Sequence, residues 1–469
     1  MQIVLGGGIG GLSAAYYLLN SGLRNVTLIE ASSRLGGWIK TTRTPKGFIF
    51  EHGPRTVRPK GLAGQNTLQL IEELGLDTKI LPIPFDHPAA KNRLIYVNKS
   101  LHALPSSLLS MFSPQPPFSK PLINAIFHDL QTPKKVAKDE SIYDFAERRL
   151  GRDIAEYAVS PLICGICAGD AKEISVKFLM KSLFEAEQEH GSIVKGMLMN
   201  MIKRKDNPII VKSELSERSK KEKWSVWSLD GGLELLPETL KNNIEKNGTD
   251  VLLNSPCKEI LFKSGKAHVK LQDDSLVSDN VISSLPAGQL APLLAKQHPE
   301  LSKELAAIPT VTVGVVNLQY RGKQLKQEAF GFLVPSSQKL PILGIVFDSC
   351  CFPKDDNTVL TVMMGGHWFE QLFGRNPSSE KLLSIAVHHV RSILEIPDVP
   401  ENYSVSILNN CIPQYVIGHH ERVERIKAYI CRHNLPLSLV GSSYDGVSVN
   451  EVILSARTAV DNIVKKNKL

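Results

Sequence analysis

Gln2-Ile3-Val4-Leu5-Gly6-Gly7-Gly8-Ile9-Gly10-Gly11-Leu12 decides the fold of this chain. Gln2 to Leu5 reads as a buried strand that runs straight into glycines, and the pattern from Leu12 to Leu19 is helical. A second apolar run, Val26-Thr27-Leu28-Ile29, ends on Glu30. Gly6 permits a tight turn, Gly8 lets the backbone come close to a pyrophosphate, and Gly11 lets helix and strand pack together. Gly7, Ile9 and Gly10 complete the loop, and the free amides of a helix N-terminus favour phosphate oxygens. Glu30 is placed to accept hydrogen bonds from ribose hydroxyls. A glycine loop alone is a weak signal. One that follows a strand, opens a helix and precedes a strand-terminal acid is a strong one.

The next stretch says which dinucleotide. Arg34-Leu35-Gly36-Gly37-Trp38 follows the acid at once, where simple nicotinamide dehydrogenases continue their strand–helix alternation. Two glycines and an arginine there allow the backbone to close over the same pyrophosphate. This arrangement resembles the amine-oxidase-like flavoprotein superfamily, whose members hold FAD with such a doublet.

At 469 residues the chain exceeds one hydrophobic core, so two or three domains are expected. The formal net charge of +8 is too diffuse to indicate nucleic acid; it suits an acidic ligand or an anionic membrane surface. Seven scattered cysteines make a disulfide framework improbable. Cys164-Gly165-Ile166-Cys167 has redox or half-zinc spacing, yet no second such pair or histidine pair accompanies it, so two buried thiols are expected and no metal site. No apolar run reaches the roughly 18 residues needed to span a bilayer. The first strand begins at residue 2, so no cleavable presequence is expected.

Along the chain, Leu68 to Leu76 reads as an amphipathic helix and Arg93-Leu94-Ile95-Tyr96-Val97 as a strand. From Leu101 the texture changes: short apolar runs at 108–112 and 122–127 are cut by Pro114, Pro116, Pro117 and Pro121, and helical patterns continue to Ile202. Such a helical region either lies in a membrane interface or packs as a small subdomain on the rest. Residues 203–223 hold eight Lys/Arg and four Asp/Glu, the composition of a solvated loop. Trp224-Ser225-Val226-Trp227 restores order, Gly231-Gly232-Leu233-Glu234 opens a helix, and short strands follow at 251–253, 258–262 and 267–271. Val281 to Pro286 resembles the strand by which such flavoproteins return to the cofactor domain. Val311–Tyr320, Phe330–Val334, Gly344–Phe347 and Leu360–Met364 form a mixed sheet. Leu437 to Gly441 is a last strand, and Gly446-Val447-Ser448-Val449-Asn450 opens a last helix.

Three further constellations narrow the reading. Gly53-Pro54-Arg55-Thr56 turns tightly after a strand, where a cation beside a flavin would stabilise its reduced, negative form. His87-Pro88-Ala89-Ala90-Lys91-Asn92-Arg93 sets a cation at the mouth of the second domain, and Cys411-Ile412-Pro413-Gln414-Tyr415 precedes a chain reversal at Gly418-His419. Together with Arg34 to Ile39, Asn317 to Tyr320, Phe330 to Pro335 and Tyr444 to Asn450, these resemble the protoporphyrinogen oxidase family of the eukaryotic type over essentially the whole chain.

The resemblance implies an α/β fold with a discontinuous, Rossmann-like FAD-binding domain (1–84, 222–308 and 433–469). It also implies a mixed-sheet substrate domain (85–104 and 309–432), an inserted α-helical membrane-associated domain (105–205) and a loop at 206–221. The activity implied is removal of six electrons from protoporphyrinogen IX in three two-electron steps, with O2 becoming hydrogen peroxide. The location implied is the surface of the mitochondrial inner membrane, as a homodimer, with a possible contact to a ferrochelatase. FAD is held non-covalently in the family. Cys257 and the Val447-Ser448-Val449 turn match further cofactor positions.

On the substrate side, Arg93 matches a propionate-binding position, Phe330, Leu333 and Met363 match positions that sandwich the macrocycle, and Gly165 matches a small residue where it passes the backbone. No residue stands out as an obligatory general base, which fits hydride loss from a meso carbon with positioning as the main contribution. Cys164 stands where an arginine is usual, Cys257 where a valine is, and His52 where a leucine is; His52 either tunes the flavin or fills space. The rivals are coproporphyrinogen III oxidation, which favours a more open and basic pocket, a flavin amine oxidase, and a non-catalytic Rab-escort-like binding protein.

Overall fold

The computed structural model describes residues 1–105, 109–203 and 213–467. They form two compact units: Met1–Pro82, Ile209–Pro309 and Glu421–Leu469 make the first, and Ile83–Pro208 with Thr310–His420 the second.

The first unit is built on a five-stranded parallel sheet. Gln2–Leu5 lies between Val26–Ile29 and Asn280–Ser283, with Asp250–Leu252 and Leu437–Leu439 at the edges. Gln2–Leu5 and Val26–Ile29 are buried at every position, as a parallel sheet covered on both faces requires. Distant chain segments thus meet in neighbouring strands, because Ile3 pairs with Val281 and Val281 with Leu437. Helices Ile9–Asn20, Gly61–Glu73, Leu235–Lys246 and Val449–Asn467 supply side chains to the core on one face. Glu259–Lys263, Lys266–Lys270 and Ser275–Ser278 form a three-stranded antiparallel sheet over the other.

Two local expectations shift here. The helix expected from Leu68 starts at Gly61, because Asn66 is buried and bonded rather than exposed: its amide donates to Tyr17 Oη at 3.2 Å and its carbonyl accepts from Arg457 at 2.7 Å. Within the basic stretch expected to be a loop, Glu214–Lys221 is helical and residues 204–212 lie outside the described set. Ser213 caps that helix by accepting the Ser216 N–H at 3.2 Å, acids occupy its first turn and bases its last, and Leu215 is buried.

The second unit holds a mixed seven-stranded sheet in the order Asn402–Pro413, Thr310–Tyr320, Thr358–Gly366, Ile342–Val346, Gly331–Leu333, Leu94–Val97 and Ser100–Ala103. Only the pairing of Gly331–Leu333 with Leu94–Val97 is parallel. One face packs on helix Ser379–Leu394 through Val316, Leu318, Phe332, Val362 and Met364. The opposite face carries Val311, Val313, Val315, Leu343 and Met363 with Cys164 and Ala168.

The helices of 105–203 belong to this same unit. An apolar core that includes Ile142, Phe145, Ile163 and Phe184 holds them, together with a buried ionic lattice. Arg149 and Asp129 are both fully buried, with Arg149 Nε donating to Asp129 Oδ1 at 2.7 Å, while Asp129 also accepts from Ser192 Oγ at 2.6 Å and the Val194 N–H at 2.9 Å. Arg148 donates to Glu187 at 2.6 Å and also pairs with Glu140. The greasy runs behave differently. Leu108 lies outside the described residues, but Leu109, Phe112 and Phe127 are 84, 65 and 57 % exposed, and Met197 and Leu198 are 52 and 58 % exposed. Among the described residues no helix is long and apolar enough to cross a membrane.

Candidate active site

The cradle of the first unit is shaped by contacts too close for side chains. Gly6 turns with φ +93°, and its N–H donates to Ile29 O at 2.8 Å. A Cβ on Gly11 would lie 1.8 Å from Gly6 O, which no residue but glycine avoids. Helix Ile9–Asn20 begins at Gly8 with no side-chain cap, leaving its first amides for an anion. Glu30 closes the loop by accepting the Gly7 N–H at 2.7 Å and the Ser32 N–H at 2.8 Å.

The second doublet lies against the first glycine loop. The Gly36 N–H donates to Gly7 O at 2.8 Å, and a Cβ on Gly37 would sit 3.0 Å from Gly8 Cα. Arg34 fastens this turn with its guanidinium, donating to Gly37 O, Ile39 O and Glu234 at 2.7, 2.7 and 2.8 Å. Trp38 is 39 % exposed, and its carbonyl would lie 2.1 Å from a Cβ on Gly53, so the Gly53-Pro54-Arg55-Thr56 turn abuts the doublet. Val57 then bridges to Trp227. Two motifs separated in sequence thus make one surface.

Cys257 comes to the Glu30 side because the Ser255 N–H donates to Glu30 O at 2.9 Å; burial pushes its thiol up to about 11. Ser448 caps the last helix reciprocally: its Oγ accepts the Glu451 N–H at 3.3 Å while Glu451 accepts the Ser448 N–H at 3.1 Å. The next turn of that helix packs on the nucleotide helix, since a Cβ on Gly10 would be 3.1 Å from Val452. Val447, Ser448 and Val449 therefore stand at the N-terminus of a helix seated beside the glycine loop. His52 is buried with Nε2 bonded to Thr42 Oγ1 at 2.7 Å; burial, with Lys40 nearby, holds its pKa below the usual imidazole value.

An FAD fits these residues. The glycine contacts leave a trough of bare backbone, the helix amides face an anion without a competing cap, and a carboxylate stands at the end of the second strand.

In the second unit, period-two alternation sorts the side chains. Phe332, Val362 and Met364 are buried in the core beneath helix Ser379–Leu394, whereas Leu333 and Met363, one residue away, are half-buried on the opposite face. Leu333 pairs with Gly344, and Gly344 with Met363, so the two side chains flank a position with no side chain between them. A Cβ on Gly165 would come within 2.7 Å of Leu333 Cδ2, which places helix Ser160–Cys167 against the same face. That helix follows a π-helical turn, Ala155–Val159, just before Pro161, a residue that brings no N–H to the ladder.

Phe330 and Arg93 precede the paired strands Gly331–Leu333 and Leu94–Val97. The Phe330 N–H donates to Asn92 O at 3.1 Å, and the Asn92 amide donates to Glu328 O at 2.8 Å. Arg93 is exposed at that end. The structure therefore gathers Leu333, Met363 and Gly165 on one apolar face, with Phe330 and Arg93 at the rim of the same sheet. Cys164 and Cys167 are buried thiols pushed up to about 12 by burial, with no disulfide. No cluster of three or more metal-ligating side chains occurs among the described residues.

Three positions went unread in the sequence. Ser284 Oγ donates to both Leu5 O and Gly6 O at 3.0 Å, Glu234 anchors Arg34, and Gly344 opens the gap between Leu333 and Met363. Ser284 follows a strand-terminal Ser283, which is the available signal; the other two gain meaning only from their partners in space.

A glycine-built dinucleotide cradle joined to a mixed-sheet unit with an apolar face defines a flavoprotein oxidoreductase. The family of flavin containing amine oxidoreductases matches residues 9–464, and the chain belongs to it, within the branch of the protoporphyrinogen oxidases. It is 43 % identical to protoporphyrinogen oxidase of Homo sapiens over 98 % of both chains, and 44 % identical to that of Bos taurus over 98 % of both. A crystal structure from Exiguobacterium, provisionally named protoporphyrinogen oxidase, shares the fold with a TM-score of 0.80 over 99 % of this chain and 98 % of that one, at 24 % identity.

Proposed function

We propose that this chain oxidises protoporphyrinogen IX to protoporphyrin IX with FAD as its bound cofactor. The observation that carries the reading is 43 % identity to the human enzyme of that name along 98 % of both chains. Bound FAD supplies a two-electron acceptor, and the six electrons leave in three such steps, with O2 reduced to H2O2.

The residues divide the labour. The amides around Gly6–Gly11 and Gly36–Gly37 receive the pyrophosphate, and Glu30 receives ribose hydroxyls. A porphyrinogen is a broad apolar macrocycle with two propionates, so it needs flat aliphatic contact and a cation at the edge. Leu333 and Met363 offer the contact, Gly165 and Gly344 keep it uncluttered, Phe330 adds an aromatic ring, and Arg93 takes a propionate. The apolar face holds no charged side chain from the cluster Cys164, Val311, Val313, Val315, Leu343 and Met363, which excludes water and orients the ring.

We also propose that Leu109, Phe112, Phe127 and Leu198 rest on a membrane surface, as expected of the mitochondrial inner membrane. An apolar substrate partitions there, and their exposure suits an interface.

The decisive assay is oxygen-dependent appearance of porphyrin fluorescence from protoporphyrinogen IX against coproporphyrinogen III. The former is turned over faster; an equal or reversed preference overturns the assignment. Arg93→Ala raises KM roughly tenfold to a hundredfold, the worth of one charge-assisted hydrogen bond, and lowers kcat less. An unchanged KM removes Arg93 from propionate binding.

A further inference from the structure

The face of the seven-stranded sheet opposite Leu333 and Met363 carries a cavity of about 300 Å³. It is lined by the hairpin of Leu94–Val97 and Ser100–Ala103, by residues 325–327 and by the end of helix Ser379–Leu394. Tyr96 and Leu101 are direct partners in the hairpin, so their side chains share a face, and both pack on the core beneath the helix. Leu325, Phe347 and Ile393 extend the apolar lining. The rings of Tyr96 and Phe347 both pack on Phe332, with centroids 6.1 and 6.3 Å apart. Phe332 precedes Leu333 but points to the other side of the sheet.

The rim is polar, and its charges do not cancel. Lys326 pairs with Glu395, the residue that ends the helix in a left-handed conformation. Lys99 stands in the two-residue turn of the hairpin with φ 63°. Among the described residues, the Lys99 ammonium and the hydroxyls of Tyr96 and Ser100 have no hydrogen-bond or ion-pair partner. One hairpin thus offers three donors without protein acceptors beside an apolar lining. A small number of polar groups at an apolar hollow is the usual composition of a small-molecule site.

We propose that this cavity binds a small aromatic carboxylate. The rings of Tyr96 and Phe347 favour an aromatic body. One unpaired ammonium and two hydroxyls match a single carboxylate, with Lys99 making the charge-assisted bond. Glu395, also on the rim, repels a second negative charge and so disfavours a phosphate ester. A volume of about 300 Å³ lies at the lower end of ligand pockets. It admits one or two rings and is too small for a tetrapyrrole, so this is not a second seat for the macrocycle.

The test is isothermal titration of the flavin-loaded protein with naphthoate, with neutral naphthylmethanol and with naphthyl phosphate. Naphthoate binds at one site per chain with a dissociation constant of roughly 1 mM or tighter, as suits a ligand of its size. The alcohol and the phosphate each bind at least about fivefold more weakly. Lys99→Gln, at an exposed turn position, weakens naphthoate roughly tenfold and leaves the alcohol unchanged. Leu101→Trp fills the cavity and removes both ligands. The two variants keep native flavin absorbance, which separates loss of binding from loss of fold. Arg93→Ala, altered at the rim of the substrate face, leaves naphthoate binding as it is. Absence of naphthoate binding, equal affinity for all three compounds, or full affinity in Lys99→Gln would overturn the inference. Naphthoate binding that disappears in Arg93→Ala would place the probe on the substrate face and overturn it as well.

Discussion

The cofactor cradle and the proposed substrate face would hold a large ligand in opposite ways. The cradle is made of backbone. Its tightest contacts are with backbone, as with Gly11 against Gly6 O and Gly53 against Trp38 O, although Gly7 and Gly10 meet the side chains of Leu35 and Val452. The proposed substrate face is made of side chains selected by strand alternation, Leu333 and Met363 on one side and Phe332 and Met364 on the other. Backbone surfaces are unforgiving because no rotamer can relieve a clash with a carbonyl. Side-chain surfaces yield, because a leucine can turn.

The harshest way to test that contrast is Gly11→Val. Its Cβ would fall 1.8 Å from Gly6 O; strand Gln2–Leu5 is fully buried and the helix is buried from Gly10 to Leu19. Overpacking of this kind costs several kcal/mol, beyond the usual range of about 1–3 kcal/mol, because backbone and not a side chain must move. The expected product is a colourless or insoluble protein, measured as flavin absorbance per mole of chain. Native flavin content in this variant would show that the cradle is as pliable as the substrate face.

The contrast also explains what could be read from the sequence. A backbone cradle announces itself, since only glycine tolerates those distances and the glycines fall at fixed intervals from strand and helix. Three of the parallel strands, Gln2–Leu5, Val26–Ile29 and Leu437–Leu439, were legible for a related reason, being short apolar runs that lead into glycine or an acid. The substrate face was not legible in the residues themselves. Leu333 and Met363 look like core in any strand, and what sets them apart is the phase of three strands in register. Their assignment came through resemblance, not through periodicity. Gly344 escaped because its meaning lies in its neighbours across the sheet. The helix Glu214–Lys221 escaped because its charge density masked one buried leucine and a serine cap.

A second way to sharpen the comparison is to attack the scaffold behind each surface. The cradle rests on a hydrophobic core, whereas the helical part of the second unit adds a set of buried charges to its own apolar core. Asp129→Ala leaves the fully buried Arg149 with Glu187, 3.5 Å away, as its remaining carboxylate, and breaking a buried pair in this way costs up to about 3–5 kcal/mol. Burial alone would raise the Asp129 pKa, but hydrogen bonds from Ser192, the Val194 N–H and Arg149 hold it below its ordinary value of 3.8. Glu187 is likewise held below 4.5, against burial, chiefly by Arg148. A depressed carboxylate contributes stability that is present above its unfolded pKa and is lost as the pH falls through the folded value. The helical part should therefore lose hydrogen-exchange protection below about pH 4, and in Asp129→Ala that protection should already be reduced at pH 7. Equal acid sensitivity of both units would remove the distinction.

The gentlest test is Gly165→Ala, which places a methyl group where the two kinds of surface meet in one residue. A Cβ there would be 2.7 Å from Leu333 Cδ2, the far end of a flexible side chain. Leu333 must leave its position, at a cost of order 0.5–1.5 kcal/mol for a displaced rotamer, and that is felt where the macrocycle would lie. Gly165 also sits inside helix Ser160–Cys167, where alanine is favoured over glycine by about 1 kcal/mol. The two effects oppose each other in stability but not in binding. The variant should therefore melt within a few degrees of the native protein and carry full flavin, while KM for protoporphyrinogen IX rises roughly two- to tenfold. Loss of flavin would mean that Gly165 serves the fold rather than the substrate face. An unchanged KM with normal flavin would mean that Leu333 does not touch the substrate.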